Sequence, residues 1–139
     1  MTLPIDPLAT LVAFLQADAD LSGLVGASIY GGDRPAQASG AALTLRLSGG
    51  SPRPDIAVAD VLVDMHCWGG VGPDGPQRAT SIWRATHAAL NVTHRTVAGA
   101  HLLWALEDRG PALLRDPDSN EAFVRATVRI ATADDPTAP

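Results

Sequence analysis

The sequence contains no lysine; all ten basic residues are arginines. That removes a Schiff-base lysine and the lysine of a phosphate-cradling loop from the possible chemistry. Only one cysteine is present, so no internal disulfide forms. Aromatic residues make up 4% of the chain, six side chains in all. No apolar run approaches the ~20 residues that a helix needs to cross a bilayer. The first residues, Met1-Thr2-Leu3-Pro4-Ile5-Asp6-Pro7, lack the basic segment of a signal peptide, so secretion by that route is not expected. Formal net charge is -5, which gives no broad attraction for nucleic acid.

What is present suits one folded domain. The chain has 139 residues, 46% of them hydrophobic, enough for a core and too apolar for a disordered composition. Asp6-Pro7 caps and starts a helix, and Leu8, Leu11, Val12 and Leu15 recur at helical spacing. The expected helix covers 7–19 and ends near Gly23 or Gly26. Ile29-Tyr30 reads as a very short strand. Residues 41–47 read as a strand, and 57–68 as its antiparallel partner across a long glycine-proline loop at 48–56. A second loop at 69–76 precedes a helix over 77–91, whose apolar stripe is Ala79, Ile82, Trp83, Thr86, Ala89 and Leu90. Short strands are expected over 92–98 and 101–107, and a last one over 123–131. The resulting fold class is α+β: a single layer of mostly antiparallel sheet with two helices packed on one face. Residues 1–131 form the domain, and 132–139 a flexible tail.

The stretch Asp64-Met65-His66-Cys67-Trp68 concentrates the reactive residue types. Alternation decides how to read it. Val61, Val63, Met65 and Cys67 face one way, and Leu62, Asp64, His66 and Trp68 the other. Neighbouring strand residues point to opposite faces, so His66 and Cys67 do not form a nucleophile pair. Cys67 reads as a buried, inert thiol. His66, His87, His94 and His101 match no metal-ligand spacing. Asp116 and Asp118 flank Pro117 in a turn. The glycines form neither a dinucleotide nor a phosphate loop. No catalytic constellation, metal site or cofactor is expected.

Assembly is the remaining theme. Helices on one face leave the other face of the sheet needing cover from a second chain, unless the strands of a small domain simply tuck both faces in; periodicity leaves both open. A pocket gathering Asp64, His66 and one of His94 or His101 would instead favour a small ligand-binding or enzyme domain.

Laid end to end, the order of elements resembles the tail-terminator or tail-completion proteins of long-tailed, siphovirus-like phages and gene-transfer particles. The residues that carry the likeness are the opening helix from Pro7, then Ala19-Asp20-Leu21-Ser22-Gly23-Leu24-Val25-Gly26 and Ile29-Tyr30. They continue with the strand Ala59–Trp68 and the helix Gln77–Leu90. His101-Leu102-Leu103, Leu113-Leu114-Arg115-Asp116-Pro117-Asp118 and Phe123–Ile130 complete them. Gly40-Ala41-Ala42-Leu43 departs from the aromatic opening that many members have there.

The resemblance implies a structural, non-enzymatic protein of the particle neck, assembled in the host cytoplasm. It implies self-association into a six-membered ring that stops tail-tube polymerisation and meets a head-side connector or stopper. DNA would pass through the lumen without specific binding, and no membrane would be involved. A stopper or minor tail component is the nearest alternative. The expected interface residues are Arg53 and Asp55 in the first loop, Asp74 in the second, and Asp64, His66, Arg125 and Arg129 on strands, because strand charges select partner and register.

Overall fold

The computed structural model describes residues 6–35, 40–53, 58–91, 95–97 and 100–134. The chain opens with α1 (Pro7–Gln16), α2 (Ala19–Val25) and β1 (Ile29–Gly31). The hairpin β2 (Ala42–Arg53) and β3 (Val58–Gly70) follows, then α3 (Gly75–Leu90). Strands β4 (Arg95–Val97), β5 (Ala100–Arg115) and β6 (Ala122–Asp134) complete it. The six strands form one sheet in the order β1-β2-β3-β6-β5-β4. Among the described residues, only β1 and β2 pair in parallel, and the other pairs are antiparallel. The α+β class with a mostly antiparallel sheet is as the alternation predicts.

Local chemistry sets the helix ends. Asp6 accepts a hydrogen bond from the Ala9 nitrogen at 3.1 Å, and Pro7 occupies the first turn. The helix expected over 7–19 is in fact two. Asp18 accepts from the Leu21 nitrogen at 3.4 Å and starts α2, whose axis turns 87° from that of α1. The capping preference of Asp18 outweighs the apolar periodicity that runs through it. The bend lets Leu11 and Leu15 of α1 and Leu21 and Val25 of α2 enter one core. Among the described residues, no single helix is long and apolar enough to cross a membrane.

The core lies between the helices and one face of the sheet. Leu43 and Leu45 of β2, Val61, Val63, Met65 and Cys67 of β3, and Val124, Ala126, Val128 and Ile130 of β6 are all buried there. Ala79, Ile82, Trp83, Thr86 and Leu90 of α3 cover the middle of that face. Close approach is possible because Gly69 has no side chain. A Cβ there would collide with the Gly75 carbonyl oxygen and lie 2.7 Å from the Ala79 nitrogen.

Strand lengths depart furthest from expectation. The loop predicted over 48–56 is largely strand, since β2 runs to Arg53, and 54–57 lie outside the described residues. A register shift between Leu47 and Gly49 absorbs the glycine pair, so the ladder continues through Ser51 and Pro52. Likewise β5 runs to Arg115, well past the predicted end at 107. Register shifts between Glu107 and Arg109, and between Arg109 and Ala112, carry it past Gly110-Pro111. Gly69 and Gly70 close β3, so only part of the predicted 69–76 loop is turn. Finally, β6 extends through Asp134, into the stretch expected to be tail.

Candidate interface on the open face of the sheet

Three helices lie on the sheet's buried side, and none of them covers the other side among the described residues. On β3 the open side presents Asp60, Leu62, Asp64, His66 and Trp68, and on β6 Phe123, Arg125, Thr127 and Arg129. The pleat accounts for this set: every member is two residues from the next.

Charges on this face are paired within the chain. Arg125 Nε lies 3.3 Å from Asp64 Oδ1, and Arg129 Nε 3.0 Å from Asp60 Oδ1, each bridging β6 to β3. Arg46 of β2 pairs with Asp33. His66 Nε2 sits 3.8 Å from Asp64 Oδ2. Its ring packs against Trp68 at 5.6 Å and Phe123 at 5.0 Å, and Trp68 and Phe123 lie 4.7 Å apart. Trp68 Nε1 donates to Thr44 Oγ1 at 3.1 Å. Burial lowers the His66 pKa; Asp64 opposes that shift, while Arg125 and Arg46 add to it. His66 is therefore neutral at neutral pH.

A second network pins the chain ahead of β2 to the β5–β6 turn. Arg34 Nη2 lies 2.5 Å from Glu121 Oε2, and Arg34 Nη1 is 3.3 Å from Oε1. The Gly40 nitrogen donates to the same carboxylate at 3.2 Å, and the guanidinium stacks over Trp68 at 4.3 Å. Hydrogen bonding from Arg34 holds the Glu121 pKa below the ordinary carboxylate value, against the effect of burial. Between these networks lies a shallow depression of about 360 Å³, lined in part by Asp33, Arg46, Asp64, His66, Trp68 and Phe123.

Of the residues predicted from sequence, Asp64, His66, Arg125 and Arg129 come together on this face. Asp74 does not. It stands at the start of α3 and makes no side-chain cap hydrogen bond. Arg53 ends β2, and its side chain lies outside the described residues, as does Asp55 altogether. Sequence reasoning missed Arg34 and Glu121, which are 87 positions apart. The one local hint was Gly-Gly-Asp-Arg-Pro at 31–35, which reads only as a turn.

The open face offers paired charges and ring contacts. Cys67 lies on the opposite face, 0% exposed, and burial pushes its thiol up to about 12. The depression has Asp64 and His66 on its wall but not His101, and His94 lies outside the described residues. Among the described residues, no three histidine, cysteine or carboxylate side chains gather as a metal site.

No family model matches the sequence. No curated protein matches it either. A solved structure does share the fold. It is a chain from the virion of a native gene transfer agent particle, with a TM-score of 0.70, 18% identity, and coverage of 91% of this chain and 94% of that one. The fold is thus similar, nearly end to end, to that of a chain from a gene transfer agent virion.

Proposed function

We propose that the protein is a structural component of a phage-like particle. It would act at the head-proximal end of the tail as a ring that caps the tail tube and meets the head-side connector. The observation that carries this reading is the likeness to the virion chain, 91% of one chain matched to 94% of the other. The open face supports the same reading. Paired charges and clustered rings form a mosaic that discriminates between partners without reacting with them. A head–tail stopper or another joining component is the closest alternative.

The test is tube growth. Tail-tube subunits from the same particle are polymerised with and without this protein, and tube lengths are measured by negative-stain imaging. Short tubes with extra density at one end support the terminator role. Tubes that are unchanged and uncapped contradict it, and binding to isolated head connector instead would move the role to joining.

A further inference from the structure

The two edges of the sheet are stepped, and the steps match. On one edge β1 covers Leu43–Leu45 of β2 and leaves the outer side of Arg46–Arg53 without a strand among the described residues. On the other edge β4 covers Ala100–Leu102 of β5 and leaves the outer side of 103–115 without a strand among the described residues. Register places the open part of β2 beside Val58–Asp64 of β3, which pairs onward with Thr127–Ala133 of β6. The far end of β5, Ala112–Arg115, pairs with Ala122–Arg125 at the opposite end of the sheet. The two notches therefore lie at diagonal corners, each next to a three-residue strand.

From these edges we infer that a second copy of this chain docks side by side in the same orientation, its β1 entering the notch beside Ala112–Arg115. The outer side of β4 would then meet the open part of β2 in that copy. Strand directions allow this: β2, β3, β6 and β5 alternate, and β1 runs with β2, so the incoming β1 is antiparallel to β5. Side-chain phase agrees. Tyr30 pairs with Thr44, and Leu114 with Phe123, so both belong to the open face and form a cross-strand pair when set opposite one another. Leu113 then falls opposite Gly31. A Cβ at Gly31 would meet Val12 at 3.4 Å and Leu8 at 3.5 Å, so this spot has an apolar floor. Leu113 and Leu114 are 54% and 43% exposed in the single chain, and this contact covers both. Between the two ends, the register shifts and Pro111 break up the rest of the open β5 edge, which confines pairing to its last four residues.

Such a contact is heterologous. Repeated by a fixed rotation it closes a ring or grows an open helix. The inference rests on the ring reading for its head-to-tail arrangement of like subunits.

A double variant, Tyr30→Cys with Leu114→Cys, tests it under mild oxidation. Four strand spacings of about 4.8 Å separate these positions within one chain, roughly 19 Å, too far for an internal disulfide. Native Cys67 is buried and stays in place. The expected result is a ladder of covalent multimers from the double variant, with neither single variant forming one. A dimer from Leu114→Cys alone means that like edges meet, and overturns the inference. Leu113→Asp with Leu114→Asp should reduce assembly to the 14.4 kDa subunit with unchanged circular dichroism. Wild-type assemblies with no ladder from the double variant overturn the edge contact and leave the ring. A ladder from open, unclosed chains overturns the ring and leaves the contact. A wild-type protein that is monomeric at every concentration, together with a double variant that gives no ladder, overturns both.

Discussion

Glu121 is 4% exposed and faces a guanidinium that is itself 13% exposed. Breaking a buried pair is costly because the remaining charge stays desolvated. Glu121→Gln should lower stability by about 3 kcal/mol, the low end for a buried pair, because Arg34 keeps some solvent and Gln still accepts a hydrogen bond. The sign of the pH effect follows from the shift. The folded-state pKa of Glu121 lies below its ordinary value of 4.5, so its stabilisation is full above that value and is lost as pH falls through the folded pKa. Denaturant midpoints measured from about pH 6 to about pH 3 should show the gap between wild type and variant closing in acid. His66 also has a lowered pKa and loses stability as pH falls below 6.5, but it does so in both proteins and drops out of the difference. A gap that persists in acid would mean that packing, rather than charge, accounts for Glu121.

Among the elements, α3 and β3 are fitted through a glycine. Gly69→Ala should cost about 3 kcal/mol or prevent folding, because the new methyl meets backbone atoms that cannot rotate away. Gly23 in α2 is the contrast: nothing lies within 4 Å of its missing Cβ. Gly23→Ala should stabilise the protein by about 0.5–1 kcal/mol through helix propensity. Thermal melts of the two variants would check both signs. Alternation from Val61 to Cys67 identified the buried face because those residues are β-branched or apolar at every second position, and burial follows that phase. Gly49-Gly50-Ser51-Pro52 read as a loop because each of those residues disfavours strands, yet pairing with Asp60–Leu62 and neighbours holds them in the ladder. Gly110-Pro111 in β5 is the same case. Local preference lost to long-range pairing in both places. The Arg34–Glu121 contact left only a turn signal at 31–35, since its partners are 87 positions apart in the chain.

In the whole molecule, one face of the sheet is buried by its own helices and the other is a charged and aromatic surface. Arg125 and Arg129 belong to that surface and already pair with Asp64 and Asp60. Exposed pairs of this kind contribute about 0–1 kcal/mol each to folding. Charge reversal at both arginines should therefore leave the chain folded while weakening self-association. Sedimentation of the double variant checks this, and unchanged assembly would remove these two residues from the interface. The sequence made that face legible through its period-two charges, but whether the face meets a partner is a property of the assembly and has no periodicity of its own.

Absolute mass in solution, with negative-stain imaging of the same fractions across a concentration series, tests the ring most directly. With a subunit of 14.4 kDa, the terminator ring should appear as ring-shaped particles with the mass of six subunits. A mass that stays at one subunit throughout, with no rings in any fraction, would contradict it.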